Sequence, residues 1–341
     1  MGELFWAYIL FFLKGVTLLI FLVIFLAIIT AMQGKKPKSP IVFENINKNL
    51  QDRHKSVLGQ FAKLGTKSSA KALKKFVATQ KARSKHDKTL EKQRKRSYVL
   101  KFKGDPKASQ VNVLRDEITA VLQVANVQDE VMLCLESPGG GVAHYGLLAS
   151  QLMRIKQAKV KLTVCVDMVA ASGGYLAAVI ADRILAAPFA FIGSIGVVMT
   201  TPNIHDFLKK KDIEVIELTA GKHKRTVSPL GKCTEEGKRH TKGQLKAIHE
   251  QFKALVLSYR PQVDIEKVAT GDYWTAQNAM DLGLVDDLTT SDAYIAELVS
   301  STESWEVSTV KKKGIKTLLK ESADGVMELI LDKLSQQYGI Q

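Results

Sequence analysis

The chain has 341 residues, 46% of them hydrophobic, which is enough for one large folded domain or two small ones. Its cysteines, Cys134, Cys165 and Cys233, show neither the paired spacing of a disulfide framework nor a CxxC metal pattern, and no HExxH sequence occurs. The composition therefore excludes a disulfide-rich scaffold, and no motif calls for a metal or a cofactor.

The first predicted element is an apolar helix over residues 4–32, in which Lys14 is the one charged residue. Roughly 20 helical residues span the hydrocarbon core of a bilayer, so this segment is long enough with turns to spare. It is too long for the apolar region of a secretory signal, and no clear small-x-small cleavage site follows it. We expect an uncleaved transmembrane anchor in a lipid bilayer, with a cleaved signal peptide as the alternative.

A basic tract follows the predicted anchor. Residues 35–96 contain 19 Lys and Arg but four acidic residues, and so account for the whole net charge of +15. The tract lacks large apolar faces, which predicts a partly helical, partly disordered stalk over 33–97. It could serve as a solvated spacer or lie beside anionic lipid headgroups. Its three aromatic residues are too sparse for a nucleic-acid stacking platform, so no nucleic-acid partner is expected.

The remaining chain alternates between short apolar runs and segments of helical spacing. Strands are predicted at 98–102, 131–135, 162–166, 183–187 and 214–218, and helices at 108–125, 143–157, 203–211 and 234–258. Continuous apolar strands between helices are typical of an α/β fold with a parallel sheet buried on both faces. We place this folded domain at 98–300 and a C-terminal tail at 301–341, with an amphipathic helix over 314–336. No internal repeat is present.

Ser172 stands on a glycine-flanked turn at the start of an apolar helix that is predicted to run to about residue 181. Gly173 has no side chain to block the approach of a substrate backbone. The free N–H groups of the following helix point at the same place. A serine hydroxyl becomes a useful nucleophile when a nearby base removes its proton. Ser172 is therefore the candidate nucleophile, although a glycine-rich helix start packed on the sheet would have the same sequence.

A second glycine-rich loop, residues 137–141, ends the preceding strand. In a parallel sheet the carboxyl ends of strands share one edge, so this loop is expected beside Ser172. The N–H groups of Gly140 and Gly173 are then candidates for an oxyanion hole. A tight turn that needs glycine for its geometry is the structural alternative.

Lys224, in a basic turn, is the candidate base. A lysine can act as a base where burial and neighbouring positive charge disfavour its ammonium form. The residues alone do not select Lys224 over Lys222, and an exposed basic turn is the simpler interpretation. Ser194, between two glycines, is a candidate to orient the lysine. A Ser-His-Asp triad through His144 or His223 is possible but unsupported, because neither histidine has an acidic partner evident in the sequence.

Four segments in order resemble the signal peptide peptidase A family of serine proteases: ESPGGGV at 136–142, VAASGGYLAAVIAD at 169–182, GSIGVV at 193–198 and AGKHKRTVSP at 220–229. The resemblance covers about residues 98–300, and the anchor and basic stalk resemble the short, single-copy bacterial members. It implies a ClpP/crotonase-like fold with Ser172 as nucleophile and Lys224, rather than Lys222, as general base. It also implies that Ser194 contacts the lysine, and that homo-oligomeric rings form in which Ser172 and Lys224 come from different subunits.

The expected function is a membrane-anchored serine endopeptidase of the bacterial inner membrane. Its substrates would be extended peptides such as signal-peptide remnants or damaged membrane proteins. The resemblance implies a periplasmic catalytic domain, whereas the lysines that follow the anchor favour the cytoplasmic side. Two other functions stay open: a crotonase-type acyl-CoA enzyme, which also uses loop N–H groups as an oxyanion hole, and a non-catalytic membrane scaffold.

Overall fold

The computed structural model describes residues 2–33, 41–63, 71, 74, 75, 78 and 95–310. The chain divides into a smaller unit, residues 1–40 and 310–341, and a larger unit, residues 41–309. The predicted tail helix at 314–336 lies outside the described residues.

In the smaller unit, helix α1 (Gly2–Gln33) covers the whole of the predicted anchor. Its described side chains, Trp6 and those of residues 8–22, are exposed except for half-buried Ile9. Among the described residues, no helix is both long enough and apolar enough to span a membrane.

The larger unit contains ten described strands and nine described helices. The strands are β1 (Ile41–Asn45), β2 (Arg96–Lys103), β3 (Glu130–Glu136), β4 (Lys161–Val166), β5 (Val169–Ala171), β6 (Arg183–Ala186), β7 (Phe191–Gly193), β8 (Tyr273–Thr275), β9 (Asp287–Leu288) and β10 (Glu303–Thr309). The helices are α2 (Ile46–Lys63), α3 (Val111–Val124), α4 (Val142–Gln157), α5 (Gly173–Ala178), α6 (His205–Lys209), α7 (Glu235–Tyr259), α8 (Ile265–Val268), α9 (Ala276–Asp281) and α10 (Ser291–Ser301).

Seven strands form the main sheet in the order β1-β10-β2-β3-β4-β6-β9, and three form a second sheet in the order β5-β7-β8. The central strands of the main sheet are parallel, as predicted, while β1–β10 and β7–β8 are antiparallel pairs. The fold is thus α/β with a mixed main sheet rather than a purely parallel one.

Side chains alternate between the two faces of the main sheet, as the two-residue period of a strand requires. On β3, Leu133 packs in the larger hydrophobic cluster, which includes residues of α3 and α4. The adjacent Met132 belongs to a smaller cluster on the other face, together with Tyr294 and Leu298 of α10. Helices therefore cover both faces of the central strands, which explains the continuous apolar runs in the sequence.

The main sheet extends beyond the predicted folded domain at both ends. β1 comes from the segment expected to be stalk, and it pairs with β10, which comes from the segment expected to be tail. The side chain of Asn47 reinforces this pairing by donating to Val299 O and Thr302 O at 2.9 and 3.0 Å. The larger unit is therefore wider than residues 98–300, because two short strands distant in sequence complete one edge of the sheet.

The strand predicted at Glu214–Leu218 was wrong. The structure has no regular element there, and Ile216 and Leu218 are 73% and 91% exposed. The apolar pattern of this segment is not matched by a neighbouring strand that could pair with it. Its apolar side chains lie on the surface instead.

Candidate active site

Strand pairing brings Ser172 and Ser194 together at the carboxyl ends of β5 and β7, which are neighbours in the second sheet. In the parallel pair of β5 and β7, Ala171 lies opposite Gly193, so each serine directly follows a paired residue. The Ser172 N–H donates to Gly193 O at 2.8 Å. Because paired strands lie about 4.8 Å apart, the two serines start from adjacent backbone positions.

Both serines have backbone conformations that L-residues rarely adopt. The φ angles are +51° at Ser172 and +52° at Ser194. Positive φ costs a non-glycine residue about 1–3 kcal/mol and is concentrated at functional sites. Ser172 precedes α5, but its side chain makes no capping hydrogen bond to that helix. The strand-to-helix turn thus presents a half-buried hydroxyl that the helix does not use.

The glycine-rich loop after β3 packs against the turn that carries Ser172. Gly139 has a φ of +93°. A Cβ atom at this position would lie 2.7 Å from Gly173 N and 2.8 Å from Ser172 Cβ, closer than real Cβ contacts allow. Glycine is therefore required here both for its conformation and for the close approach of the two backbones.

Gly140 and Gly173, the candidate oxyanion donors, line one cavity of about 250 Å³. Among the residues the structure describes, neither backbone N–H has a hydrogen-bond partner. The other walls of the cavity are mostly apolar and comprise Val142, Tyr145, Gly146, Leu176, Gly196, Val197, Ile248, Gln251, Phe252 and Leu255. Two free N–H groups thus adjoin a space that an apolar side chain could fill.

Lys224 lies in an exposed turn of the described chain. Its backbone N–H closes a turn to Gly221 O at 3.1 Å, and its side chain is exposed. Within residues 95–310, its amine is hydrogen-bonded to neither Ser172 nor Ser194 and has no ion-pair partner. By contrast, Lys222 pairs with Glu236 at 3.2 Å.

Among the described residues, neither His144 nor His223 forms an ion pair or a hydrogen bond with a carboxylate, although Glu236 lies close enough to His223 for this histidine to contribute to lowering the pKa of that carboxyl. His223 stacks on His240 with ring centroids 3.9 Å apart. His144 lies beside the glycine-rich loop, since a Cβ atom on Gly141 would be 2.7 Å from its Nδ1. Within the part of the chain that the structure describes, no group of three or more His, Cys, Asp or Glu side chains could hold a metal ion.

Ser137 and Tyr145 were missed in the sequence analysis, although both support the candidate site. Their hydroxyl oxygens are 2.5 Å apart, and both residues are fully buried. Tyr145 has the helical spacing of an ordinary core residue, so its sequence position gives no sign of a polar role. The one available signal is Ser137, which directly precedes the Pro-Gly-Gly-Gly run.

Comparison with known proteins gives matches along most of the chain. The sequence model of the Peptidase family S49 N-terminal region matches residues 3–152, and that of Peptidase family S49 matches residues 154–304. A probable protease SohB from Haemophilus influenzae is 49% identical over 248 residues, which are 72% of this chain and 70% of that protein. A putative protease SohB from Buchnera aphidicola is 36% identical over 320 residues, 91% of each chain.

Among solved structures, the 1510-N membrane-bound stomatin-specific protease, in a mutant form with a substrate peptide, is 16% identical to this chain. The alignment has a TM-score of 0.43 and covers 68% of this chain and 98% of that one. On the sequence matches, the chain belongs to peptidase family S49. It is a serine protease, which confirms the resemblance seen in the four sequence segments.

Proposed function

We propose that this chain is a membrane-anchored serine endopeptidase with a ClpP/crotonase-like arrangement, in which Ser172 is the nucleophile and Lys224 the general base. The observation that carries the proposal is the strained Ser172 turn beside two glycine N–H groups without partners. Ser172 Oγ attacks the substrate carbonyl, and Lys224 Nζ takes the hydroxyl proton. The same amine later gives that proton to the leaving nitrogen, while the N–H groups of Gly140 and Gly173 hold the oxyanion.

The cavity beside the two glycines supports a preference for an apolar substrate side chain. Leu176, Phe252 and Leu255 contribute to its walls. Burying a charged side chain there without a partner would be costly, so acidic residues would be rejected. Extended peptides rich in apolar residues, such as signal-peptide remnants or segments of damaged membrane proteins, fit this site.

Lys224 acts on Ser172 of a neighbouring copy in this proposal. Three features support the sharing of sites: the exposed amine, its lack of a partner in the described chain, and exposed apolar residues between positions 198 and 218. Val198, Ile216 and Leu218 are 86%, 73% and 91% exposed. Exposed apolar surface of this kind is typical of interfaces between subunits. Ser194, which lies beside Ser172, would then orient the incoming Lys224 of the neighbouring copy.

The anchor is part of the same proposal. Helix α1 has 32 residues, and its exposed apolar side chains surround the helix, as expected of a segment that lies in lipid. We expect the full chain to stay with membranes after carbonate extraction, and release into the supernatant would contradict the anchor. A reporter fused after Gln341 would identify the side on which the larger unit lies; the basic residues after α1 favour the cytoplasmic side.

The proposed catalytic dyad, Ser172 and Lys224, is tested in the detergent-solubilised full chain with an apolar chromogenic peptide and a fluorophosphonate probe. S172A should lose both labelling and cleavage, and K224A should lower kcat by about 10³-fold or more because the serine loses its base. K222A is the matched control and should keep activity, since Lys222 is already paired with Glu236. Labelling at another residue, or full activity in K224A, would refute the dyad.

Sharing of sites between copies is tested by mixing the two inactive proteins under conditions that allow subunits to exchange. Every intact site would combine a serine from one variant with a lysine from the other. An equal mixture of S172A and K224A should therefore recover about a quarter of the wild-type sites in a head-to-tail ring. A mixture that stays as inactive as its components would show that each chain must supply both residues.

A further inference from the structure

Tyr145 occupies the space between the two glycine segments of the candidate site. It lies on α4 and is fully buried. Its hydroxyl donates to Asp105 O at 2.9 Å and lies 2.5 Å from Ser137 Oγ. Its ring packs against the nucleophile turn so closely that a Cβ atom on Gly173 would be 2.5 Å from Tyr145 Cγ.

The hydrogen-bond directions in this cluster are fixed by the one proton on each hydroxyl. Asp105 O can only accept, so it takes the Tyr145 proton. Ser137 Oγ must then donate to the Tyr145 oxygen, and it accepts from the Gly139 N–H at 3.1 Å. The result is a one-way chain from Gly139 through Ser137 and Tyr145 to Asp105, in which each bond strengthens the next.

This chain of hydrogen bonds fixes the glycine-rich loop at the Gly139 N–H. The same loop is fixed at a second residue, because the Gly141 N–H donates to Pro106 O at 2.9 Å. Burial raises the pKa of Tyr145, so its hydroxyl keeps the proton that it donates. Gly140 thus lies between two fixed contacts of its own loop, and one of them depends on Tyr145.

We propose that Tyr145 is a positioning residue that sets both halves of the oxyanion hole: its hydroxyl fixes the loop of Gly140, and its ring fixes the backbone of Gly173. The inference rests on the proposed function of these two N–H groups. Oxyanion donors act on the transition state more than on the bound substrate, so loss of the Tyr145 hydroxyl should lower kcat with little change in KM.

The test compares Y145F with Y175F in the full chain. Tyr175 is an equally buried tyrosine whose hydroxyl donates to Leu284 O at 3.0 Å and forms no hydrogen bond with the described glycine-rich loop. Both variants lose one buried hydroxyl and one bond to a backbone carbonyl, so both should lose thermal stability. Y145F should lower kcat about 10- to 100-fold, with KM within about threefold of wild type, whereas Y175F should keep kcat.

A peptide aldehyde supplies a second readout, because its adduct with the serine carries the tetrahedral oxyanion. Its inhibition constant should rise in Y145F by the same factor by which kcat falls, and stay unchanged in Y175F. S137A interrupts the chain at the neighbouring position and should lower kcat in the same way. The double variant should be little worse than either single one, since both break one chain.

The inference is overturned if Y145F keeps kcat, or if kcat falls equally in Y145F and Y175F. If Y145F does not fold, the inference is tested by the same measurements of kcat and of aldehyde inhibition on S137A, and an unchanged kcat in S137A would overturn it. Failure of the proposed function is distinguishable, because then the wild-type chain itself would show no cleavage and no fluorophosphonate label at Ser172.

Discussion

At the scale of single residues, the candidate site depends on backbone conformations more than on unusual side chains. Ser172 and Ser194 both have positive φ, and Gly139 has a φ of +93°. Such conformations persist where surrounding contacts impose them, and here paired strands and the packed glycine-rich loop do so. The reactivity expected of Ser172 thus originates in the turn that holds it.

Gly139→Ala tests this dependence directly. The added methyl would meet the Ser172 turn at 2.7–2.8 Å, so we expect the two segments to move apart. The rate of fluorophosphonate labelling should fall at least about tenfold, with a loss of roughly 1–3 kcal/mol in the free energy of unfolding. A labelling rate equal to that of wild type would show that the close approach does not matter for reactivity.

Gly243→Ala is the control for that experiment. Gly243 lies within helix α7, and among the described residues no heavy atom beyond the adjacent helix backbone lies within 4 Å of the position its Cβ would take. Alanine is the better helix former by up to about 1 kcal/mol, so this variant should be slightly more stable. Its labelling rate should not change.

At the scale of elements, the sequence was informative where a strand is buried on both faces. β3 and β4 were predicted within one residue at each end, because their apolar runs reflect helices on both faces. The opposite case is Glu214–Leu218, where apolar residues are exposed and form no strand. Local patterns cannot distinguish a buried strand from an exposed apolar segment, because the neighbouring element decides burial.

Helix α3 is fastened to β10 by a buried carboxyl group. Thr309 Oγ1 donates to Glu117 Oε1 at 3.0 Å, and burial raises the pKa of Glu117. The folded state therefore holds this proton more tightly than the unfolded state does. Stability should fall as the pH rises from about 4.5, the ordinary value, through the raised pKa of the folded state.

Glu117→Gln should remove this fall in stability at higher pH, because the amide keeps an oxygen that can accept from Thr309 and has no charge to bury. We expect the variant to be at least as stable as wild type in thermal unfolding at pH 7, with the difference shrinking toward pH 4. Glu297→Gln, at an exposed position of α10, serves as the control and should leave the pH dependence unchanged. A variant less stable than wild type at pH 7 would contradict the argument.

At the scale of the whole molecule, the sequence identified the α/β architecture but not the extent of the main sheet. β1 lies in a basic tract whose composition resembles a disordered stalk, and its partner β10 is more than 250 residues away in the chain. Pairing at such a distance leaves no local pattern. The sequence likewise does not place Lys224 relative to Ser172, because 52 residues without a shared local pattern separate the two.

The pairing of β1 with β10 predicts which fragments of the chain should fold stably. A chain of residues 41–310 should fold and unfold cooperatively. A chain of residues 95–310 should lose at least about 10 °C in melting temperature or aggregate, because β10 becomes an open edge. It also loses Phe43, whose ring packs edge to face on Tyr98 with centroids 6.3 Å apart. Equal stability of the two fragments would contradict the role given to β1.

A pair of single substitutions supports this comparison in the full chain. Asn47→Ala removes two bonds to carbonyls near the start of β10 and one from the Ser304 N–H, so its melting temperature should fall. Asn49→Ala, two residues on and exposed, should leave it unchanged.

The pairing of Ile41 with Thr309 also has a mechanical consequence. Because the strands are antiparallel, the chain enters and leaves the larger unit at the same end of one ladder. Force that drew the two terminal segments apart would open the bonds of this ladder one after another, starting at Ile41. The turn after β5 that carries Ser172 and the loop after β3 lie outside this ladder, so tension on the terminal segments would separate β1 from β10 before it reached the candidate site.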